Sequence, residues 1–193
     1  MTLPTPISSR LVIAITGAQG VGKSTLASGL EREFSRLTIG PCTAHQNLGQ
    51  TASSKGVPLR QHANHLTIME FARLHSRRER QLFSGIHLLD RCFVDVLAYA
   101  RTVCAEQTIL IQLIEELTRA SLAGVSLVVR VPMIPCLAES RSANESTQFR
   151  TQIDQVIQRI LPDMQVNYLE VGSTTPEERV YEVICFLRGK KLL

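Results

Sequence analysis

The chain has 193 residues, a formal net charge of +4, and is 44% hydrophobic and 20% charged. That length suits one domain, 1–193, with a sizeable core, and the composition excludes the weakly hydrophobic, highly charged chains that stay unfolded. No apolar run reaches the length of a membrane span, and the start, MTLPTPISS, lacks the apolar centre of a secretion signal, so residues 1–9 are expected to be a disordered lead-in to a cytoplasmic protein.

Strand-like and helix-like segments alternate along the chain. Residues 11–16 (LVIAIT) read as a buried strand, 23–34 as a helix and 37–43 as a second strand. A polar loop covers 46–58. A long helix is expected over roughly 60–82, its apolar face built from Leu66, Met69 and Ala72 beside Ile68, Phe71 and Leu74. Residues 86–89 form a short strand ending at Asp90, followed by helices near 92–104 and 107–122 and a strand over 125–131. Ser142 and Glu145 could box the start of the next helix, whose apolar side is Phe149, Ile153, Val156, Ile157 and Ile160. Residues 166–171 are the last strand. Thr175, Pro176 and Glu178 start a final helix with Val180, Val183, Ile184 and Leu187 inward. Five strands separated by helices predict a parallel three-layer α/β/α sandwich. Cys42, Cys92, Cys104, Cys136 and Cys185 show no metal spacing and read as reduced, mostly buried thiols.

Between the first strand and first helix, residues 17–24 (GAQGVGKS) fit G-x-x-x-x-G-K-[ST] at every fixed position. Glycines let the backbone wrap closely, so consecutive N–H groups can face phosphate oxygens, and the helix N-terminus adds its positive end. This assigns Ala18, Gln19, Gly20, Val21, Gly22, Lys23, Ser24 and Thr25 to a nucleoside triphosphate, with Lys23 on the β- and γ-phosphates and Ser24 on Mg²⁺. No N-K-x-D guanine signal is present, so ATP is expected.

Asp90 ends the third strand of the run LLDRCFVDVLAYA. Ligands of such sheets gather at the carboxyl ends of strands, where a carboxylate can hold Mg²⁺ with Ser24 or take a proton. Asp90 could instead cap the following helix. Arg91, Asp95 and Tyr99 fall at i, i+4 and i+8 on an otherwise apolar helix. Arg91 and Asp95 are candidate substrate contacts or, more plainly, an ion pair along the helix.

The phosphate loop, LLDRCFVDVLAYA and an arginine-bearing segment before a helix together resemble the small P-loop kinases of nucleosides and nucleotides. The closer likeness is to the AAA-type ATPase/kinase family that includes the ribosylnicotinamide kinase domain. There a D/E-R pair and D-x-x-A-Y follow the third strand, as Asp90, Arg91, Asp95, Ala98 and Tyr99 do here. The resemblance implies a lid over 132–150, with Arg141 and Arg150 stabilising charge on the transferring phosphoryl group. The family usually places an acid after the second strand to grip the acceptor. PCTAHQNLGQT contains none, leaving His45, Gln46 or Gln50 there.

Arg60, Arg73, Arg77, Arg78 and Arg80 gather on the long helix with His62, His65 and His75, as a solvated basic face or a grip on an anionic acceptor. Two functions follow. One is a Mg²⁺-dependent kinase moving the γ-phosphoryl of ATP to a small-molecule acceptor: a nucleoside, nucleotide or related metabolite. The other is a regulatory ATPase or nucleotide switch acting on a protein or nucleic acid. The absence of an aromatic platform disfavours a nucleic-acid partner.

Overall fold

The central strand sets the layering. In β1 (Arg10–Thr16), Val12 and Ala14 pack to one side, while Leu11, Ile13 and Ile15 pack to the other. Such a strand must be covered on both faces. The computed structural model describes residues 10–45, 48, 63–134 and 146–193. Its elements run β1, α1 (Lys23–Arg36), β2 (Cys42–His45), α2 (His65–Glu79), β3 (Gly85–Asp90), α3 (Phe93–Val103), α4 (Thr108–Leu122), β4 (Leu127–Arg130), α5 (Thr147–Asp163), β5 (Tyr168–Glu170) and α6 (Pro176–Gly189). The five strands are parallel in the order β2-β3-β1-β4-β5. Helices α1 and α6 cover one face, and α2, α3, α4 and α5 the other. This is the three-layer α/β P-loop NTPase fold.

Several expected boundaries move for identifiable reasons. The apolar residues Leu37 and Ile39 do not begin a strand. Leu37 caps α1, Thr38 takes φ 55° and Gly40 φ 140°, and the turn delivers the chain to a strand that starts only at Cys42. Leu37 and Ile39 still pack against the core, which is why they read as strand. Helix α2 starts later than expected because the Asn64 side chain accepts from the Thr67 N–H at 3.0 Å. Its buried side is Ile68, Phe71, Ala72, Leu74, His75 and Arg78, whereas Leu66 and Met69 face outward at 67% and 39% exposure. Ser146, not Ser142, caps α5, accepting from the Phe149 N–H. Thr175 caps α6 as expected, with Pro176 in its first turn. Cys92 and Cys104 are buried free thiols, Cys42 is half-buried and Cys185 is exposed. Residues 1–9, Cys136, Ser142 and Glu145 lie outside the described residues.

Ile13 is fully buried among side chains of β3, β4, α1 and α6. Ile13→Ala is expected to lower unfolding free energy by about 2–5 kcal/mol, read as a shifted urea midpoint with unchanged slope. Thr175→Ala is expected to cost only about 1 kcal/mol in the same measurement.

Candidate functional site

Beyond Thr16 the backbone alternates in hand. Gly20 and Gly22 have φ of 79° and 99°, so successive N–H groups turn toward one concave side. At Gly17, with φ 147°, an added Cβ would lie 2.4 Å from the Val131 carbonyl oxygen, so only glycine fits against the end of β4. Gly22 is the N-cap of α1. It provides no side-chain cap bond, and the first turn contains no acid. The first N–H donors of this helix therefore receive no cap from a side chain of its own first turn, the arrangement that suits an anion.

The carbonyl side of the loop is gripped by three cations. Lys23 Nζ donates to Gly17 O at 2.8 Å and Ala18 O at 2.6 Å. Arg150 Nε donates to Gln19 O at 2.8 Å, and Arg179 Nη1 to Val21 O at 2.8 Å. Arg150 and Arg179 are buried, at 2% and 6% exposure. Arg179 also donates through Nε to Ser173 O, which ties the loop to the end of β5. The sequence placed Arg179 only within the ERV run at 178–180 of the family likeness, with no site role. Its signal was the arginine one turn into the helix after the last strand, in TPEERV.

Asp90 reaches this loop because β3 neighbours β1, with Asp90 in register with Ile15. Ser24 Oγ donates to Asp90 Oδ2 at 2.5 Å, while Oδ1 is buried and has no hydrogen-bond partner among the described residues. A hydroxyl and a carboxylate with an idle oxygen, beside a phosphate loop, are the hard donors that suit Mg²⁺. Asp90 does not cap the next helix. Cys92 does, and Asp95 Oδ2 accepts from its N–H at 2.9 Å.

The turn after Asp90 is held from α2. Arg91 has φ 73°, a left-handed conformation costing about 1–2 kcal/mol for a residue with a Cβ. Arg78 spans the turn, donating Nη1 to Asp90 O at 3.3 Å and Nη2 to Arg91 O at 2.6 Å. His75, fully buried, accepts from Arg78 Nη2 through Nδ1 at 3.0 Å. Burial, then Arg78 and Arg91, push His75 well below its ordinary pKa, so it stays neutral. Arg78 and His75 are thus internal, not part of a solvated basic face. Arg91 Nη1 pairs with Asp95 Oδ1 at 3.2 Å, and its guanidinium lies 5.9 Å from the Tyr99 ring centroid. The three expected stripe residues therefore meet, with both Asp95 oxygens engaged by Arg91 and Cys92.

On the β4–β5 side of the loop, a cleft of about 100 Å³ lies between Gly20, Val21, Gly22 and Thr25, the Pro132–Ile134 segment, and Arg150, Thr174, Pro176 and Arg179. Arg141, Gln46, Gln50, Arg60 and His62 lie outside the described residues, as does most of the expected 132–150 lid. Among the described residues no helix is long and apolar enough to cross a membrane.

Comparison with curated proteins finds no match. Among solved structures, the chain is similar to deoxyadenosine kinase from M. mycoides with bound products (TM-score 0.67, 12% identity, covering 93% of this chain and 100% of the other). It is similar to thymidylate kinase from Candida albicans (0.63, 21%, 95% and 93%). It also matches the NadR protein in complex with NR (0.68, 15%, 94% of this chain and 51% of the other). These likenesses carry the fold of P-loop nucleoside and nucleotide kinases. A family model described as an AAA domain matches residues 12–179. That match spans the phosphate loop, the Asp90 turn and Arg179, and by it the chain belongs to this AAA-domain family of P-loop NTPases.

Proposed function

We propose that this protein is an ATP-dependent kinase that transfers the γ-phosphoryl group to a nucleoside, nucleotide or related small metabolite. The observation that carries the reading is the Ser24–Asp90 contact at 2.5 Å, with Asp90 Oδ1 buried and without a hydrogen-bond partner among the described residues, at the start of a helix whose N-cap is Gly22 of the glycine-rich loop. The kinase neighbours, among them a deoxyadenosine kinase and a thymidylate kinase, support it.

The triphosphate lies along the N–H groups of residues 18–25, its nucleoside end in the cleft flanked by Arg150 and Arg179. Lys23 exchanges two loop carbonyls for the β- and γ-phosphate oxygens. Ser24 and Asp90 are the residues that would hold Mg²⁺, which neutralises charge on the β- and γ-oxygens. A site with one carboxylate, one hydroxyl and substrate oxygens is the usual form for this ion. Arg91, paired with Asp95, is the candidate acceptor contact, and the family resemblance implies a lid role for Arg141, which lies outside the described residues. A switch acting on nucleic acid through α2 draws less support, since Arg78 is internal and Arg73 is paired with Glu70 at 2.6 Å.

The test is transfer of labelled phosphate from ATP to a panel of deoxyadenosine, deoxycytidine, thymidine, dTMP and nicotinamide riboside. Phosphorylation of at least one is expected. Slow hydrolysis unaffected by every acceptor would overturn the kinase reading. Lys23→Ala is expected to lower kcat by about 10²–10³-fold with the far-ultraviolet spectrum unchanged. Asp90→Asn is expected to lower the rate and raise the Mg²⁺ concentration needed for half-maximal turnover. An unchanged Mg²⁺ titration in that variant would remove Asp90 from the metal site.

A further inference from the structure

We infer that His45 is the base that takes the proton from the acceptor, that His87 fixes its tautomer, and that the acceptor is consequently a hydroxyl group rather than a phosphate. The inference rests on the kinase reading above and narrows its substrate class.

In-line transfer puts the attacking and leaving oxygens on opposite sides of phosphorus. The nucleoside cleft lies on the β4–β5 side of the phosphate loop, so the acceptor enters over β3 and β2. His45 is the last residue of β2, in register with Leu89, which is itself in register with Ala14 of β1. With strands about 4.8 Å apart, this row sets His45 about 10 Å from β1, one residue below the level of Asp90. His45 is half-buried, so a ligand can reach it.

The tautomers follow from one carbonyl. His87 Nε2 lies 3.1 Å from Phe83 O, which can only accept, so Nε2 carries the hydrogen. His87 Nδ1 is then the accepting nitrogen of the pair. His45 Nε2 lies 3.0 Å from it and must donate. This leaves His45 Nδ1 as a lone pair. Protonating Nδ1 breaks neither hydrogen bond, because Nε2–H still donates to His87. The relay therefore accepts a proton without rearranging.

The acceptor oxygen forms a bond to the γ-phosphorus, and its hydrogen passes to His45 Nδ1. The bond from the γ-phosphorus to the β,γ-bridging oxygen breaks, and ADP leaves with that electron pair. His45 then returns the proton to water. A phosphate monoester, with its second pKa near 6, presents an oxygen already deprotonated at neutral pH and needs no such base.

Burial, then Arg78 of α2 and His87 of β3, lower the pKa of His45 below its ordinary 6.5. Among the described residues Glu31 of α1 also faces β2, its carboxylate accepting from the Ala44 N–H at 3.0 Å. Neutral His45 is the active form, so the rate falls as pH drops through a value below 6.5.

The experiment measures kcat against pH with ATP and, in turn, deoxyadenosine, deoxycytidine, thymidine, nicotinamide riboside and dTMP. Wild type is expected to phosphorylate a nucleoside with an acidic limb. His45→Gln is expected to lose about 10²–10⁴-fold in kcat and the limb itself, with KM for ATP unchanged. His45→Glu is expected to recover much of the rate with the limb moved to lower pH. Transfer by wild type with the limb retained in His45→Gln would overturn this inference and leave the kinase reading standing. So would transfer to dTMP alone. No transfer to any acceptor would overturn both. Independently of any variant, two-bond ¹⁵N–¹H spectra of the wild-type chain are expected to show the Nε2–H tautomer for both rings. An Nδ1–H tautomer at His45 would overturn the relay.

Discussion

The site depends on keeping the carbonyl oxygens of residues 17–21 turned outward. Four of them are held by Lys23, Arg150 and Arg179. A glycine-rich turn is conformationally permissive and would sample many shapes in isolation. Cationic donors on its outer side select the shape whose N–H groups converge inward. Each donor arrives from a different part of the chain: α1, α5 and α6. The loop's geometry is therefore a consequence of the whole sandwich, and the two buried arginines couple it to α5 and, through Ser173 O, to the end of β5.

A second arrangement does for β3 what those cations do for the loop. Arg78 reaches across from α2 to the carbonyls of Asp90 and Arg91, and this sustains the left-handed turn at Arg91. The turn allows Asp90 to face Ser24 while Arg91 folds back on Asp95 and Tyr99. Strain at such a position is tolerated only where surrounding bonds over-determine it. Buried neutral His75 completes the support, since it accepts from Arg78 without adding a charge.

Local signals made much of this legible in advance. The motif at residues 17–24 predicts both a strand before it and a helix after it, and both are present. The order of motifs placed Asp90 at the end of a strand, and the pairing of β3 with β1 sets it beside the loop. What escaped was set by tertiary packing. Leu66 and Met69 have helical spacing yet face outward, because His75 and Arg78 occupy the inner side of α2 instead. A basic residue is a weak sign of burial, so Arg78 read as part of a surface face and Arg179 was given no role. His45 stood out only as one of three residues, with Gln46 and Gln50, left where an acid was missing, and its partner His87 lies 42 positions away.

The most direct measurement is the response of assigned backbone amides to Mg²⁺ and ATP in solution. The N–H signals of Gly20, Gly22, Lys23 and Ser24 are expected to move most at saturation, together with the side-chain resonances of Arg150 and Arg179. Binding of MgATP that left those amides in place while shifting others, or no binding at all, would contradict the cradle on which every step above relies.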